Sequence, residues 1–523
     1  MVITFLALLA LHAPLLNLPY FWDEAGYYIP AARDFLLHGY LIPVTTLSSA
    51  HPPLLMMYLA LAWKLFGYSP LVTHTAMLLL ASFAVAQAYR LAEGLAGRHV
   101  AWATAICFAV YPVFFAQSGL AHSDLPATAL TLLGLRLYFS DAKRWLSVVA
   151  FALATLAKEI AILTPFALAA WELLSLMIGV WLSRKLKLNS PKPSFTRLLR
   201  SEAFVNALIL MLSAVPLVLW FAYHYHHSGY MFGNPEYFRY NVASTITPAR
   251  IAMAGLQRIW QVLGYMNLWV LTLLAASAML LPALKDNGVI RPRISIPVQL
   301  ALLMVVAAHV LFHSLIGGAE LARYLMVPVA LVILVAVSTL RRRLRQWRWA
   351  VVFVCVTFVT GWVVNPPFHF SPEDNLAYAD FVRLHQHAAS FIASRYPNSR
   401  VLTAWPASDE LSHPYVGYVD KPIRVVRIEN FSEEQIALAK QSADYDAALI
   451  FSTKYEPPRR LFNWDLWEKG NARFFDYHHD LSAEAVAQML GGTVVMQERR
   501  KGLWVAVLEF QRTKNAKMLA IGD

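Results

Sequence analysis

From its first residues to about position 364 the chain returns repeatedly to apolar runs about as long as a bilayer is thick. That recurrence confines it to a bundle of membrane helices. A helical crossing needs about 20 predominantly apolar residues. Runs near 2–18, 71–91, 99–117, 125–139, 146–157, 160–181, 203–222, 260–284, 295–316, 324–340 and 349–364 make about eleven transmembrane helices. A content of 58% hydrophobic and 15% charged residues over 523 positions is too apolar for a chain dissolved in water, so composition agrees with the pattern.

The formal charge of +12 is unevenly placed. Residues 1–364 carry 26 Lys and Arg against 12 Asp and Glu, whereas 365–523 carry 18 against 20. Basic residues confined to short links between apolar runs mark cytoplasmic loops beside anionic lipid, which argues against a nucleic-acid face. With the N-terminus inside, the links at Arg90 and Arg98, at Lys143 and Arg144, from Arg184 through Lys185, Lys187, Lys192 and Arg197 to Arg200, at Lys285, Arg291 and Arg293, and from Arg341 to Arg348 all face the cytoplasm.

Two stretches test this threading. Pro53 to Gly67 is apolar but short and carries Lys64, and making it cross would invert every later loop. It is therefore expected to lie in the outer interface as an amphipathic helix. Trp145 to Leu182 is too long for one helix, so Lys158 and Glu159 are expected at the outer tip of a hairpin, with a tilted or re-entrant helix as the alternative. The opening apolar stretch has no basic leader and no clear small-residue cleavage site, and reads as a retained span. Cys107 and Cys355 both fall inside apolar runs, which excludes a disulfide framework or a cysteine zinc site.

At Asn365-Pro366-Pro367 the composition changes, dividing a membrane domain, 1–364, from a domain at 365–523. In the latter, helices are expected at 375–396, 432–441 and 483–490, and strands at 400–404, 423–428, 447–452, 492–497 and 503–510: a small α/β domain, external by parity.

Charge is costly within a bilayer, about 2.5–3.5 kcal/mol per group at its centre on insertion scales, so clustered polar residues receive the first functional reading. They map to the outer ends of the runs: Asp23 and Glu24 in PYFWDEAGYY, Arg33 and Asp34, His51 in SSAHPPLL, His122 and Asp124 in GLAHSDLP, Lys158 and Glu159, Glu236 and Arg239, and Glu320 with Arg323 in GAELARYLMVP. Each has a plainer reading. Asp23 and Glu24 could cap a turn, Asp124 the helix at Leu125-Pro126; Lys158 could pair with Glu159, and Arg323 with Glu320. His309 and His313 have the i, i+4 spacing of a metal pair but lack an evident third ligand, and packing is the better reading.

Taken in order, the Asp-Glu pair of the first outer loop, the His-Pro-Pro-Leu, the Asp after the third run, the hairpin Lys and the Arg-Tyr-x-x-x-Pro entering a late run resemble the GT-C glycosyltransferases of the protein O-mannosyltransferase and aminoarabinose-transferase type, over roughly residues 1–345. His224 to Phe238 is similar to an outer loop of bacterial members. The resemblance implies a GT-C bundle and an inverting transfer of a sugar from a polyprenyl-phosphate donor to an acceptor hydroxyl on a lipid, glycan or protein, at the outer face of a bacterial inner membrane. It makes Asp23, beside Glu24, the base. It also points to His51, Lys158 and Arg323 as holders of the donor phosphate, with His122, Asp124 and Glu320 as further site candidates. Some members use a divalent ion, for which Asp124 would be the first ligand to test. The chemistry fits on its own terms: a phosphate leaves without a strong acid if cations meet its charge, and an alcohol needs a carboxylate base. The alternative is a transporter or flippase of lipid-linked saccharides, which calls for polar groups at mid-membrane and paired or broken helices.

Overall fold

The computed structural model describes residues 1–140, 142–185, 201–235, 238, 246–316, 319–442, 444–457, 465–475 and 477–510. Among these, six helices are long and apolar enough to cross a membrane: Pro70–Ala96, Glu159–Trp181, Glu202–Ser228, Pro248–Met279, Ile296–Leu315 and Ala322–Arg343. Shorter apolar helices lie at Val2–Leu15, Leu54–Phe66, Arg98–Val110, Arg144–Ala157 and Trp347–Gly361. The sequence count of about eleven thus meets six helices of full length.

Two expected runs are broken. In 99–117 the helix stops at Val110, because Tyr111 precedes Pro112 and is pushed to an extended conformation (φ −60°, ψ 128°). In 260–284 the break falls at Gly264–Asn267, where Met266 (φ 47°) and Asn267 (φ 67°) turn left-handed before the helix resumes at Leu268–Met279. A side chain at Gly264 would meet the ring of Trp260, which would have to shift to admit it. The long run 145–182 breaks at Lys158, whose extended backbone (φ −155°, ψ 133°) separates helix Arg144–Ala157 from the 3-10 turn Glu159–Ile162 and helix Leu163–Lys185. Leu54–Phe66 is a helix with one face inward. Leu55, Leu59 and Trp63 are buried, and the Trp63 indole donates to Thr73 Oγ1 at 2.9 Å.

The C-terminal region carries a five-stranded sheet in the order Arg424–Ile428, Arg400–Ala404, Ala447–Phe451, Leu503–Glu509, Thr493–Arg500. The first three strands run parallel and the last two join antiparallel. Ala447–Phe451 is buried along its whole length, as a central strand covered on both faces must be. Helix Ala377–Arg395 buries Phe381, Val382, His385 and Ile392.

By its internal contacts the chain forms two compact units: Met1–Leu16 with Ala31–Val364, and Asn17–Pro30 with Asn365–Asp523. The segment carrying Asp23 and Glu24 therefore folds with the C-terminal unit, although in sequence it lies between membrane runs.

Candidate functional site

In the helical unit, three charged side chains from distant positions meet. Asp124 opens helix Asp124–Tyr138, Lys158 stands at the break described above, and Arg323 lies in the 3-10 turn Ala322–Leu325. Lys158 Nζ donates to Asp124 Oδ1 at 2.7 Å, and Arg323 Nε lies 3.2 Å from Asp124 Oδ2. All three are buried, where a charge persists only with partners. Two cations thus share one carboxylate. The Lys158 ammonium also sits 4.1 Å from the centre of the Tyr324 ring, a cation–π contact beside the ion pair. The capping reading of Asp124 fails, since this helix start has no side-chain cap. Beyond the sequence neighbours Glu159 and Glu320, Lys158 and Arg323 both pair with the shared Asp124.

His122 is fully buried in the link before that helix. Its Nδ1 lies 3.1 Å from Arg323 Nη1 and 2.7 Å from Gln117 Oε1, and one nitrogen can accept from the first or donate to the second but not both at once. Burial, with Arg323 and Lys158 close by, holds the imidazole well below its ordinary pKa, so it is neutral near pH 7.

His51 is tied to Glu159, Nδ1 to Oε2 at 2.9 Å. Ala50 just before it is left-handed (φ 55°), and its carbonyl accepts from Trp220 Nε1 at 2.8 Å. Further along the loop, Ser48 Oγ lies 2.7 Å from His224 Nε2. His224, from the stretch expected to be an outer loop, therefore supports the strand of chain leading to His51.

Residues absent from the sequence reading hold Arg323 in place. Helix Pro248–Leu263 presents Arg250, Arg258 and Gln261 on one buried face. Arg258 Nη1 donates to the Leu321 carbonyl at 3.2 Å, Gln261 Nε2 to the Glu320 carbonyl at 2.8 Å, and Arg250 Nη2 to the last carbonyl of helix Ile296–Leu315, Leu315, at 2.7 Å. Starting the run at 260 hid this polar face; the i, i+8 spacing of the two arginines is the signal that would have found it. Glu320 is half-buried. Burial pushes its pKa up to about 7, against the pull of Arg258 and Arg250.

In the C-terminal unit, Glu24 turns inward. Its Oε2 accepts from the Phe21 amide at 2.8 Å while its own amide donates to the Phe21 carbonyl at 2.8 Å, a reciprocal pair like that of a capping box. Asp23 stays half-buried, and Glu24 is fully buried. Trp22 adopts a left-handed conformation (φ 42°), which for a bulky residue costs about 1–3 kcal/mol and persists only where its surroundings over-determine it. Asp34, in the other unit, locks a loop by accepting from the amides of Val44 and Thr45 at 2.8 and 2.9 Å.

His309 Nε2 contacts Thr164 Oγ1 at 3.1 Å and His313 Nδ1 the His309 carbonyl at 2.8 Å, so one ring nitrogen of each is engaged within the protein. Among the described residues no three His, Cys, Asp or Glu side chains group as a metal site. Asp124, with both oxygens against cations, is a poor fit for a divalent ion. Glu236 and Arg239, with Lys187, Lys192, Arg197 and Arg200, lie outside the described residues, as does the side chain of Arg184.

The helical membrane unit broken at these points and the small mixed sheet have a fold already seen in solved membrane proteins. The particular likeness is to ArnT from Cupriavidus metallidurans. Its apo structure aligns with a TM-score of 0.54 and 14% identity, and its structure bound to undecaprenyl phosphate with 0.53 and 15%. Each alignment covers 97% of both chains, so the shared fold extends past residue 345 through most of the C-terminal region. By sequence, no family model and no curated protein matches the chain.

Proposed function

We propose that the protein is a membrane glycosyltransferase that moves a sugar from a polyprenyl-phosphate donor to an acceptor hydroxyl at the outer face of a bacterial inner membrane, with inversion at the anomeric carbon. The observation that carries this reading is the buried pair of cations, Lys158 and Arg323, sharing Asp124 within an ArnT-like fold. An ArnT structure holds undecaprenyl phosphate. In this chain Lys158 and Arg323 would meet the charge that develops on the departing phosphate, and Asp124 would hold the two cations side by side before the lipid arrives. Neutral His122 lets Arg323 approach without repulsion. His51, fixed by Glu159, is a second phosphate contact, and its position is set by the Trp220 bond to Ala50.

Asp23 takes the proton of the acceptor hydroxyl as it attacks, and Glu24 holds the turn that presents it. Glu320 acts through the loop that carries Arg323. About eleven crossings, with the C-terminal domain outside, complete the reading, and that placement follows from the basic links. Mass spectrometry of the glycans and lipids of cells with and without the protein tests it. A mass difference of one sugar on a defined acceptor, lost again in the Lys158→Ala variant, is the expected result. Identical spectra from cells that contain the inserted protein would end the proposal.

A further inference from the structure

The segment that carries the acid pair is gripped by three separate stretches of the C-terminal unit. Phe21 is buried with its ring 5.4 Å from Phe381, edge to face, and 5.8 Å from Tyr378. Trp22 meets Phe381 at 5.3 Å and the edge of Trp405 at 5.2 Å, while Tyr27 meets Trp405 from the other side of the acids at 5.6 Å. The Tyr20 amide donates to the Val416 carbonyl at 3.2 Å, and the Tyr418 hydroxyl donates to the Tyr20 carbonyl at 3.1 Å. Burial, together with the Glu410 and Glu24 carboxylates, raises the Tyr418 pKa well above its ordinary value, so this donor keeps its proton. Behind it, His385 Nδ1 and Glu410 Oε2 form a buried contact of 2.6 Å.

Gly26 shows how close the grip is. A Cβ there would collide with Trp405 Nε1 and stand 2.8 Å from Cε2, so the indole rests directly against the glycine backbone. Only glycine leaves that space. Trp405 thus touches both Trp22, before the acids, and Gly26 and Tyr27, after them. Removing the indole would leave the left-handed Trp22 with less to hold it, and a relaxed Trp22 would swing the next residue, Asp23, through a new backbone direction.

We infer that Trp405, seated on Gly26, is the positioning residue for Asp23: the C-terminal unit sets where the catalytic carboxylate stands. The inference rests on the reading of Asp23 as the base. It gives residues 365–523 a part in the reaction without adding a catalytic group of their own.

The test uses the full-length protein in membranes and purified in detergent, with Trp405→Ala, Trp405→Phe, Gly26→Ala and the double variant Gly26→Ala/Trp405→Ala. Three readouts are taken. These are hydrogen exchange of the 17–30 amides, binding of undecaprenyl phosphate, and formation of the glycosylated product by mass spectrometry. Trp405→Ala is expected to speed exchange across 17–30 about tenfold and to cut turnover by roughly ten- to a hundredfold, while undecaprenyl phosphate binds as before. Trp405→Phe keeps an edge against Trp22 and should recover most of both. Gly26→Ala should resemble Trp405→Ala. The double variant should be no worse than Trp405→Ala alone, because the collision has been removed. Additive losses, or Trp405→Ala protein with unchanged exchange and turnover, would overturn the inference. If Trp405→Ala fails to insert, Trp405→Phe and Gly26→Ala decide by the same two readouts. Faster exchange beside undiminished turnover in both Trp405→Ala and Asp23→Asn would instead remove Asp23 from the mechanism, and the positioning role with it, while leaving the packing account standing.

Discussion

Asp124, Lys158 and Arg323 stand where they do because each needs the charge of another, whereas Asp23 stands where it does because rings and backbone hydrogen bonds fix the residues on either side of it. The first arrangement is ionic and buried, and it depends on complete pairing: taking one member away leaves a buried charge uncompensated. The second is apolar and geometric, and it responds in proportion to how much ring is lost. The difference suits the two proposed tasks. A phosphate holder must supply charge and can tolerate a small displacement, while a general base must be aimed at one proton and gains nothing from a strong field if it is misplaced.

If that division is right, substitutions that keep shape should act very differently in the two regions. Asp23→Asn preserves the turn and removes the proposed base, so turnover should fall by about two to four orders of magnitude with normal insertion and melting. Turnover within about tenfold of the unmodified protein would take the base role from Asp23. Asp124→Asn is equally conservative in shape, yet it strips the shared partner from two buried cations, and should lower stability by about 3–5 kcal/mol. The check is the thermal midpoint in detergent together with the yield of inserted protein. A folded Asp124→Asn protein with unchanged melting would show that packing holds this cluster as well, and the contrast between the regions would collapse.

A smaller effect sharpens the ionic side. Arg323→Lys keeps the charge but loses the planar fork that reaches both Asp124 and His122. Undecaprenyl phosphate binding should weaken by roughly 1.5–3 kcal/mol in Arg323→Ala and by about half that in Arg323→Lys. Equal affinities in the two variants would make the fork irrelevant and leave Arg323 as a point charge only.

The same contrast governs what the sequence discloses. Charges set among apolar runs are costly, so Asp124, Lys158 and Arg323 stand out in the chain before any coordinates, even though their pairing partners do not: Glu159 was as plausible a mate for Lys158 as the more distant Asp124. Strands with clear alternation or strong β content, such as Arg400–Ala404 and Ala447–Phe451, are equally legible. Trp405, Phe381 and Tyr418 are not, because an aromatic residue in a polar stretch carries no mark of the ring it meets hundreds of positions away. The breaks at Tyr111 and at Gly264–Asn267 were hidden for a related reason, since apolar periodicity continues across a bend that Pro112 or a left-handed Met266 imposes. Helix Pro248–Leu263 is illegible because its buried arginines read as the solvated charges of a loop.

The least of the expected effects is a pH dependence, and it probes the loop behind Arg323. Glu320 is half-buried beside Arg258 and Arg250, and burial wins: its pKa rises to about 7 from the ordinary carboxyl value. In the unfolded chain this carboxyl releases its proton near pH 4.5, whereas in the folded protein it keeps it until about pH 7, so across that window the folded state binds more protons. The contribution of Glu320 to stability is therefore fully present below about pH 4.5, declines as the pH rises towards 7, and is flat above. Glu320→Gln retains the backbone carbonyl that accepts from Gln261 and removes the ionisable group, so it should lessen the fall of the melting midpoint between pH 4.5 and 7 without altering undecaprenyl phosphate binding at the acid end. A steeper fall in the variant would mean that the charged carboxylate, paired with Arg258, is the form the fold prefers, and that the arginines rather than burial set its ionisation.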